Sequence, residues 1–221
     1  MKKIIIFGTG LNSRVVLNEI ENLKEYKFIG FIDDIFKKQL FTLSNKKTSY
    51  LGKISDLNKY FDNNTYGIIS WGDNFKRKEI VKNVYSISKK FRWASIVSKK
   101  SIISKKVNIG EGTLIMPGVV INFNSNIGRH CIINTNSTIE HDNRFDDYSA
   151  CGPGVTTSGN VTVGELSYLG VGSSIMHGVA ILNNTVIGGQ SYVNKDCASD
   201  GVYYGVPAKK IRKRIVGEKY L

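Results

Sequence analysis

The stretch IMPGVVINFNSNIGRHCIINTNSTI, residues 115–139, places isoleucine at Ile115, Ile121, Ile127, Ile133 and Ile139, one every six residues. Stepping by six in both directions carries the register back through Ile109 and Ile103 to Val97. Forward, it runs through Phe145, Cys151, Thr157, Val163, Leu169, Ile175, Ile181 and Ile187 to Val193. Sixteen of these seventeen positions are hydrophobic, where a composition that is 41% hydrophobic predicts about seven. A period of six is neither the 3.6 of a helix nor the 2 of an ordinary strand, and it marks a stack of like units.

Four residues after each such position the side chain is small or short, as at Thr113, Ser125, Cys131, Ser137, Ser149, Val161, Ser173 and Ser191. One bulky and one small inward residue per six suit a triangular coil of three hexads. Successive coils then pair by backbone hydrogen bonds at roughly 4.8 Å, so that residues 18 apart stack. About five coils fit, a parallel β-helix. Gly or Asn directly after the inward residue, as at Gly110, Asn122, Gly128, Gly152, Gly164 and Gly170, predicts backbone freedom at that step.

One column of this register holds Phe123, His141, Gly159 and His177. A neutral imidazole accepts a proton from an attacking amine or hydroxyl, and a backbone N–H one coil away can hold a developing oxyanion. His141 and Gly159 are therefore expected as base and oxyanion donor of an acyl transfer, with Asp142 or Glu140 orienting the ring. His177, two coils from His141, is expected about 10 Å away, too far for direct partnership. His130 falls on another column and carries no functional reading. The outward positions differ from coil to coil, which argues against a passive structural solenoid. The histidine registers do not converge, so no metal is expected.

Residues 1–95 have no six-residue period. Lys2–Phe7 reads as a buried strand, Gly8-Thr9-Gly10 as a turn, 14–23 as a helix and 28–32 as a second strand ending in Asp33-Asp34, a βαβ opening. Ser13 stands where a dinucleotide fingerprint has its third glycine, and the segment is short for a full dinucleotide fold. An anionic ligand such as a nucleotide-sugar at the strand ends fits better than NAD. A later strand, 66–70, leads through Trp71-Gly72-Asp73-Asn74 into a basic helix, whose first amides and Arg77 are expected to hold phosphates. Gly8, Gly10, Asp33, Asp34, Asn74 and Arg77 form the candidate substrate-binding set.

Three cysteines without CxxC spacing argue against a disulfide framework or a zinc site. The formal net charge of +13 comes without a nucleic-acid recognition motif, and it suits phosphate-rich small molecules. No stretch reaches the length of a membrane span, and the apolar run after Met1 is too short for a signal peptide, so a cytoplasmic location is expected.

These residues resemble the sialic acid O-acetyltransferase-like (NeuD-type) sugar acetyltransferases, which include the bacillosamine- and perosamine-pathway N-acetyltransferases. The resemblance covers essentially the whole chain. It rests on the Gly8-Thr9-Gly10 opening, Phe31-Ile32-Asp33-Asp34, Gly72-Asp73-Asn74-x-x-Arg77, Ile139-Glu140-His141-Asp142, Gly159-Asn160-Val161 and Gly205-Val206-Pro207-Ala208-Lys209. It implies a small Rossmann-like nucleotide-sugar-binding domain over 1–95 and a left-handed β-helix acyltransferase domain with a C-terminal tail over 96–221. It also implies a homotrimer, with acetyl-CoA in the groove between subunits near Gly188 and Gly189. Lys195 and Lys209 are candidates for the coenzyme's phosphates. The expected reaction is acetylation of the 4-amino group of a nucleotide-linked 4-amino-4,6-dideoxy sugar for surface-glycan biosynthesis. O-acetylation of a sialic acid and a non-catalytic scaffold are the alternatives. Two departures stand out: Asn12 replaces a histidine common in the opening loop, and Ala150 replaces a second active-site histidine of some relatives.

Overall fold

The computed structural model describes residues 1–35 and 50–220. Its first layer is a five-stranded parallel sheet of β1 (Lys2–Phe7), β2 (Tyr26–Ile32), β3 (Tyr50–Gly52), β4 (Thr65–Ile69) and β5 (Arg92–Trp93), in the order β3-β2-β1-β4-β5. The apolar run Ile4-Ile5-Ile6-Phe7 is buried throughout because β1 lies at the sheet centre and both its faces are covered. Ile4 and Ile6 pack with Val16 and Ile20 of helix α1 (Asn12–Leu23). Ile5 and Phe7 pack with Ile80, Val81 and Val84 of helix α2 (Asn74–Ile87). The α1 face of the sheet is continuous with the core of the second part, through Ala94 and Ile96.

That second part is a parallel β-helix of seventeen two-residue strands, from Ile96–Val97 to Tyr192–Val193. Each strand pairs in parallel with the one 18 residues on, as in Ile121↔Ile139, Ile139↔Thr157 and Thr157↔Ile175, giving three sheets. Every hexad position named from the sequence is the second residue of a strand, and from Ile115 onward all are buried. The polar exception, Thr157, is fully buried, and its hydroxyl has no partner among the described residues.

The small inward residues do more than fit. Ser125 Oγ donates to Glu140 O and accepts from Asn143 N–H. Ser167 Oγ likewise donates to Leu182 O and accepts from Thr185 N–H, so these hydroxyls tie corners of successive coils together.

Backbone freedom falls elsewhere than expected. The left-handed conformation recurs three residues after the inward position, at Asn124, His130, Asn136, Asp142, Tyr148, Asn160 and onward in steps of six. The glycines directly after the inward residue serve close approach instead. A Cβ on Gly110 would lie 2.6 Å from the carbonyl carbon of Gly128 in the next coil.

Gly201–Gly205 extends one face, and Ala208–Lys213 returns antiparallel to it. The tail then runs back to the start of α2. There the Tyr220 hydroxyl accepts from Asn74 N–H and lies 2.6 Å from Asn74 Oδ1, while its ring stacks on Tyr168. All three cysteines are buried and unpaired, and burial pushes the thiols of Cys131 up to about 12 and of Cys151 and Cys197 up to about 11. They are packing residues. Among the described residues no helix is long and apolar enough to cross a membrane.

Candidate functional site

The coil-to-coil ladder decides which amides remain available. Hydrogen bonds between coils use the N–H one residue before, one after and three after each inward position, as with Thr156, Ser158 and Asn160 around Thr157. The amide two residues after, at the outer corner, is left out. Gly159 N–H therefore has no hydrogen-bond partner among the described residues.

His141 occupies the same corner one coil earlier, and its ring lies over Gly159. A Cβ on that glycine would lie 2.5 Å from Cε1 and 2.6 Å from Nε2 of the imidazole. The ring is held from its other nitrogen, since His141 Nδ1 is 2.7 Å from Asp142 Oδ2. Asp142 is held in turn by Asn124 Nδ2, which donates to Oδ1 at 2.6 Å. The Asn124 bond and then the His141 bond hold the Asp142 carboxyl below the usual carboxylate range. An ionised carboxylate only accepts, so Nδ1 carries a proton, and in the neutral ring the lone pair lies on Nε2.

Asn124 and Asp142 both adopt the left-handed corner conformation, which Asn and Asp tolerate better than other residues with side chains. Asn124 lies 18 residues before Asp142, so the register itself contained the signal for it. Among the described residues Glu140 makes no hydrogen bond to the ring.

His177 corrects an expectation. Strand spacing puts it about 10 Å from His141, yet the two ring centroids are 6.4 Å apart. The residue between them in the column is glycine, so nothing separates the rings and they lean together. Among the described residues no three of His, Cys, Asp and Glu gather to hold a metal ion.

In the α/β layer, Gly8 takes a φ of 114° and packs against Ser70 and Trp71, while Gly10 faces open space. A pocket at the carboxyl ends of β1 and β2 is lined by Gly8, Asp33, Asp34, Trp71 and Lys76, among others. This is where open parallel sheets bind ligands, beside the strand at which the order reverses. Trp71 and Lys76 were missed as lining residues. Asn12 ties the opening loop to the end of β4, its Nδ2 donating to Ser70 O.

Four candidates behave differently from expectation. Asp33 is buried, and its Oδ2 accepts from both the N–H and the hydroxyl of Thr9, while Oδ1 accepts from Ile35 N–H. It fixes the glycine loop to β2. Asp34 Oδ1 accepts from Ile54 N–H, although the residue is otherwise exposed.

Arg77 is 1% exposed and points into the β-helix. Its Nε donates to His130 O, its Nη1 to Gly72 O, and its Nη2 to Asn74 Oδ1 and Tyr148 O. Asn74, fully buried, donates to Ser167 O. The first amides of α2 are also taken, Asn74 N–H by Tyr220 and Lys76 N–H by Asp73 Oδ1. The expected phosphate site at this helix start is instead the joint between the two parts of the chain.

His130 belongs to the same joint. It is buried, stacked on Tyr148 and edge-on to Trp93. Burial first, then Arg77 and Arg129, lower its pKa to about 3.

Gly188 is buried under the Tyr204 ring, and its N–H donates to Tyr203 O, so it cannot offer that amide to a ligand. Gly189 is exposed at a corner, with its N–H left out of the ladder. Lys195 and Lys209 are exposed. Lys195 continues the corner column of His141 and His177, whereas Gly189 lies on a different corner of the triangle. Ala150 is buried in the strand between Ile132 and Tyr168, on another face from His141.

Fold and site together define the class: a Rossmann-like α/β layer joined to a hexapeptide-repeat β-helix with an imidazole and a free amide on one corner. The comparisons with known proteins agree. Residues 3–84 match the PglD N-terminal domain family. A solved structure of perosamine N-acetyltransferase from Caulobacter crescentus, a histidine variant in complex with CoA and GDP-perosamine, superposes with a TM-score of 0.86. It is 26% identical, over 96% of this chain and 98% of that one. The galactoside O-acetyltransferase of Escherichia coli (strain K12) is 31% identical over 148 residues, 54% of this chain and 70% of that protein. The GDP-perosamine N-acetyltransferase of Escherichia coli O157:H7 is 34% identical over 85 residues, and the match spans only 38% of each protein. The chain belongs to the hexapeptide-repeat sugar acetyltransferases, and its solenoid is the left-handed β-helix of that family.

Proposed function

We propose that the protein transfers an acetyl group from acetyl-CoA to the amino group of a nucleotide-linked amino sugar, the 4-amino group of a 4-amino-4,6-dideoxyhexose. The observation that carries this reading is the His141 imidazole lying over Gly159, whose amide has no partner among the described residues. His141 Nε2 takes the proton of the attacking amine, Gly159 N–H holds the oxyanion, and Asp142, itself held by Asn124, fixes the ring.

The pocket at the ends of β1 and β2, lined by Gly8, Asp33, Asp34, Trp71 and Lys76, receives the nucleotide, with Gly10 in the adjoining loop. Residues 1–95 are thus the nucleotide-sugar-binding domain and 96–221 the acyltransferase domain. The relative from Caulobacter, solved with CoA and GDP-perosamine, supports both ligand classes. Gly189 and Lys195 lie on different corners of one chain, an arrangement that suits a coenzyme held in a groove between two copies. This favours a homotrimer with three sites, working in the cytoplasm.

The test is thiol release from acetyl-CoA against UDP-, GDP- and dTDP-linked 4-amino sugars, with sialic acid and 4-hydroxy sugars as controls. One amino sugar should be turned over, and His141→Ala should lower kcat by about 10²- to 10⁴-fold. Turnover of sialic acid alone, or a His141→Ala enzyme as fast as the wild type, overturns the reading.

A further inference from the structure

We infer that His177 is a second catalytic residue, whose ring N–H donates a hydrogen bond to the coenzyme A sulfur as it leaves. The inference rests on the acetyl-transfer reading above and adds a leaving-group contact to it. Three observations support it. The rings of His141 and His177 stand 6.4 Å apart on one exposed corner with only a glycine between them. The amide of that glycine has no hydrogen-bond partner among the described residues. His141 is fixed through Nδ1 by Asp142, whereas His177 has no hydrogen bond within the described chain, so either of its nitrogens is available.

The column orders the chemistry. With the thioester oxygen on Gly159 N–H, the carbonyl carbon lies between the two imidazoles. The amine must arrive on the His141 side, where Nε2 can take its proton. The tetrahedral carbon then carries oxygen toward Gly159, nitrogen toward His141 and two further substituents, methyl and sulfur. His177 is the polar group on the remaining side of the column. Lys195 stands one coil further in the same direction, so a coenzyme leaving along this corner passes His177 first and a cation next.

In the step itself, the amine lone pair forms the C–N bond and the carbonyl π pair moves to oxygen. His141 Nε2 takes one amine proton. Collapse restores the carbonyl and breaks the C–S bond, and sulfur departs with the electron pair. The proton on His141 passes to the thiolate, directly or through water, giving amide and free thiol. His177 holds the sulfur while charge builds there and is unchanged over the cycle.

The test compares wild type, His177→Phe and His177→Gln with acetyl-CoA and with acetyl thioesters of pantetheine analogues whose thiols differ in acidity. Losing one donor at a developing charge should lower kcat by roughly 10²-fold in His177→Phe. The loss should grow as the leaving thiol becomes less acidic, and His177→Gln, which keeps an N–H, should recover part of it. The melting temperature should not move. A His177→Phe enzyme with wild-type kcat, or one whose loss is the same for every thiol, overturns the inference while leaving the His141 reading in place. A wild-type protein that releases no thiol from any thioester in the presence of amino sugars overturns both.

Discussion

In the β-helix, the bonds that build the fold and the groups free to do chemistry are separated by register. The ladder takes the amides one before, one after and three after each inward residue and leaves the corner amide, so Gly159 stays open beside His141. The α/β layer has no such separation. There the polar side chains that most suggest a ligand site, Asp33, Asn74 and Arg77, are buried and bonded within the chain, and of these only Asp33 lines the pocket, beside Gly8, Asp34, Trp71 and Lys76. A repeat makes function legible because position within the unit states a role. In a layer where every contact occurs once, the same residue types serve structure or ligand, and only packing tells which.

Arg77 is the sharpest place to break this comparison. Replacing Arg77 by Met leaves the carbonyls of His130 and Tyr148 without their donor and takes one of two donors from Gly72, and should destabilise the protein by about 4 kcal/mol. For a chain of this size that is a melting temperature lower by about 10 °C, measured by thermal denaturation. Below that transition the affinity for the nucleotide-sugar should be unchanged in calorimetric titration. A tenfold weaker affinity with an unchanged melting temperature restores Arg77 as a phosphate ligand.

Gly159→Ala tests the other side. The new Cβ displaces the His141 ring, and a misplacement of about 1 Å should lower kcat roughly 10²-fold in the thiol-release assay while stability is nearly unchanged. Equal turnover by this variant means the ring over Gly159 is not the reacting arrangement.

A third test concerns His130. Its pKa in the fold, about 3, lies below its ordinary value of 6.5, so the fold favours the neutral ring. The stability it contributes is complete above about pH 6.5 and is lost as pH falls from there toward 3, at up to about 1.4 kcal/mol per unit. His130→Asn, which suits the left-handed corner, should remove one proton's share of that slope in denaturant titrations between pH 6.5 and 4. An unchanged slope means the ring is protonated in the fold.

The reading of the β-helix succeeded because period and stacking are arithmetic: the inward residues, the 18-residue coil and the column joining His141 to Gly159 all follow from counting. It failed where two residues 36 apart close a gap, as His141 and His177 do, because strand spacing fixes backbones and the tilt of rings across a glycine is a packing matter. The glycines after the inward residues suggest backbone freedom and instead serve close approach, since composition does not distinguish a glycine needed for its dihedral from one needed for close approach. The Asn124 support for Asp142 was present in the register, 18 residues away.

By itself, then, the sequence determined the solenoid, its register, the exposed corner and the βαβ opening, because hydrophobic periodicity is a local property of the chain. The tertiary structure alone decided that Arg77, Asn74, His130 and Tyr220 form the joint between the two parts. That decision rests on contacts between residues 53 to 146 positions apart, formed only when the burial of a guanidinium among carbonyls from the β-helix becomes possible. No local pattern distinguishes an arginine awaiting a phosphate from one awaiting another part of its own fold.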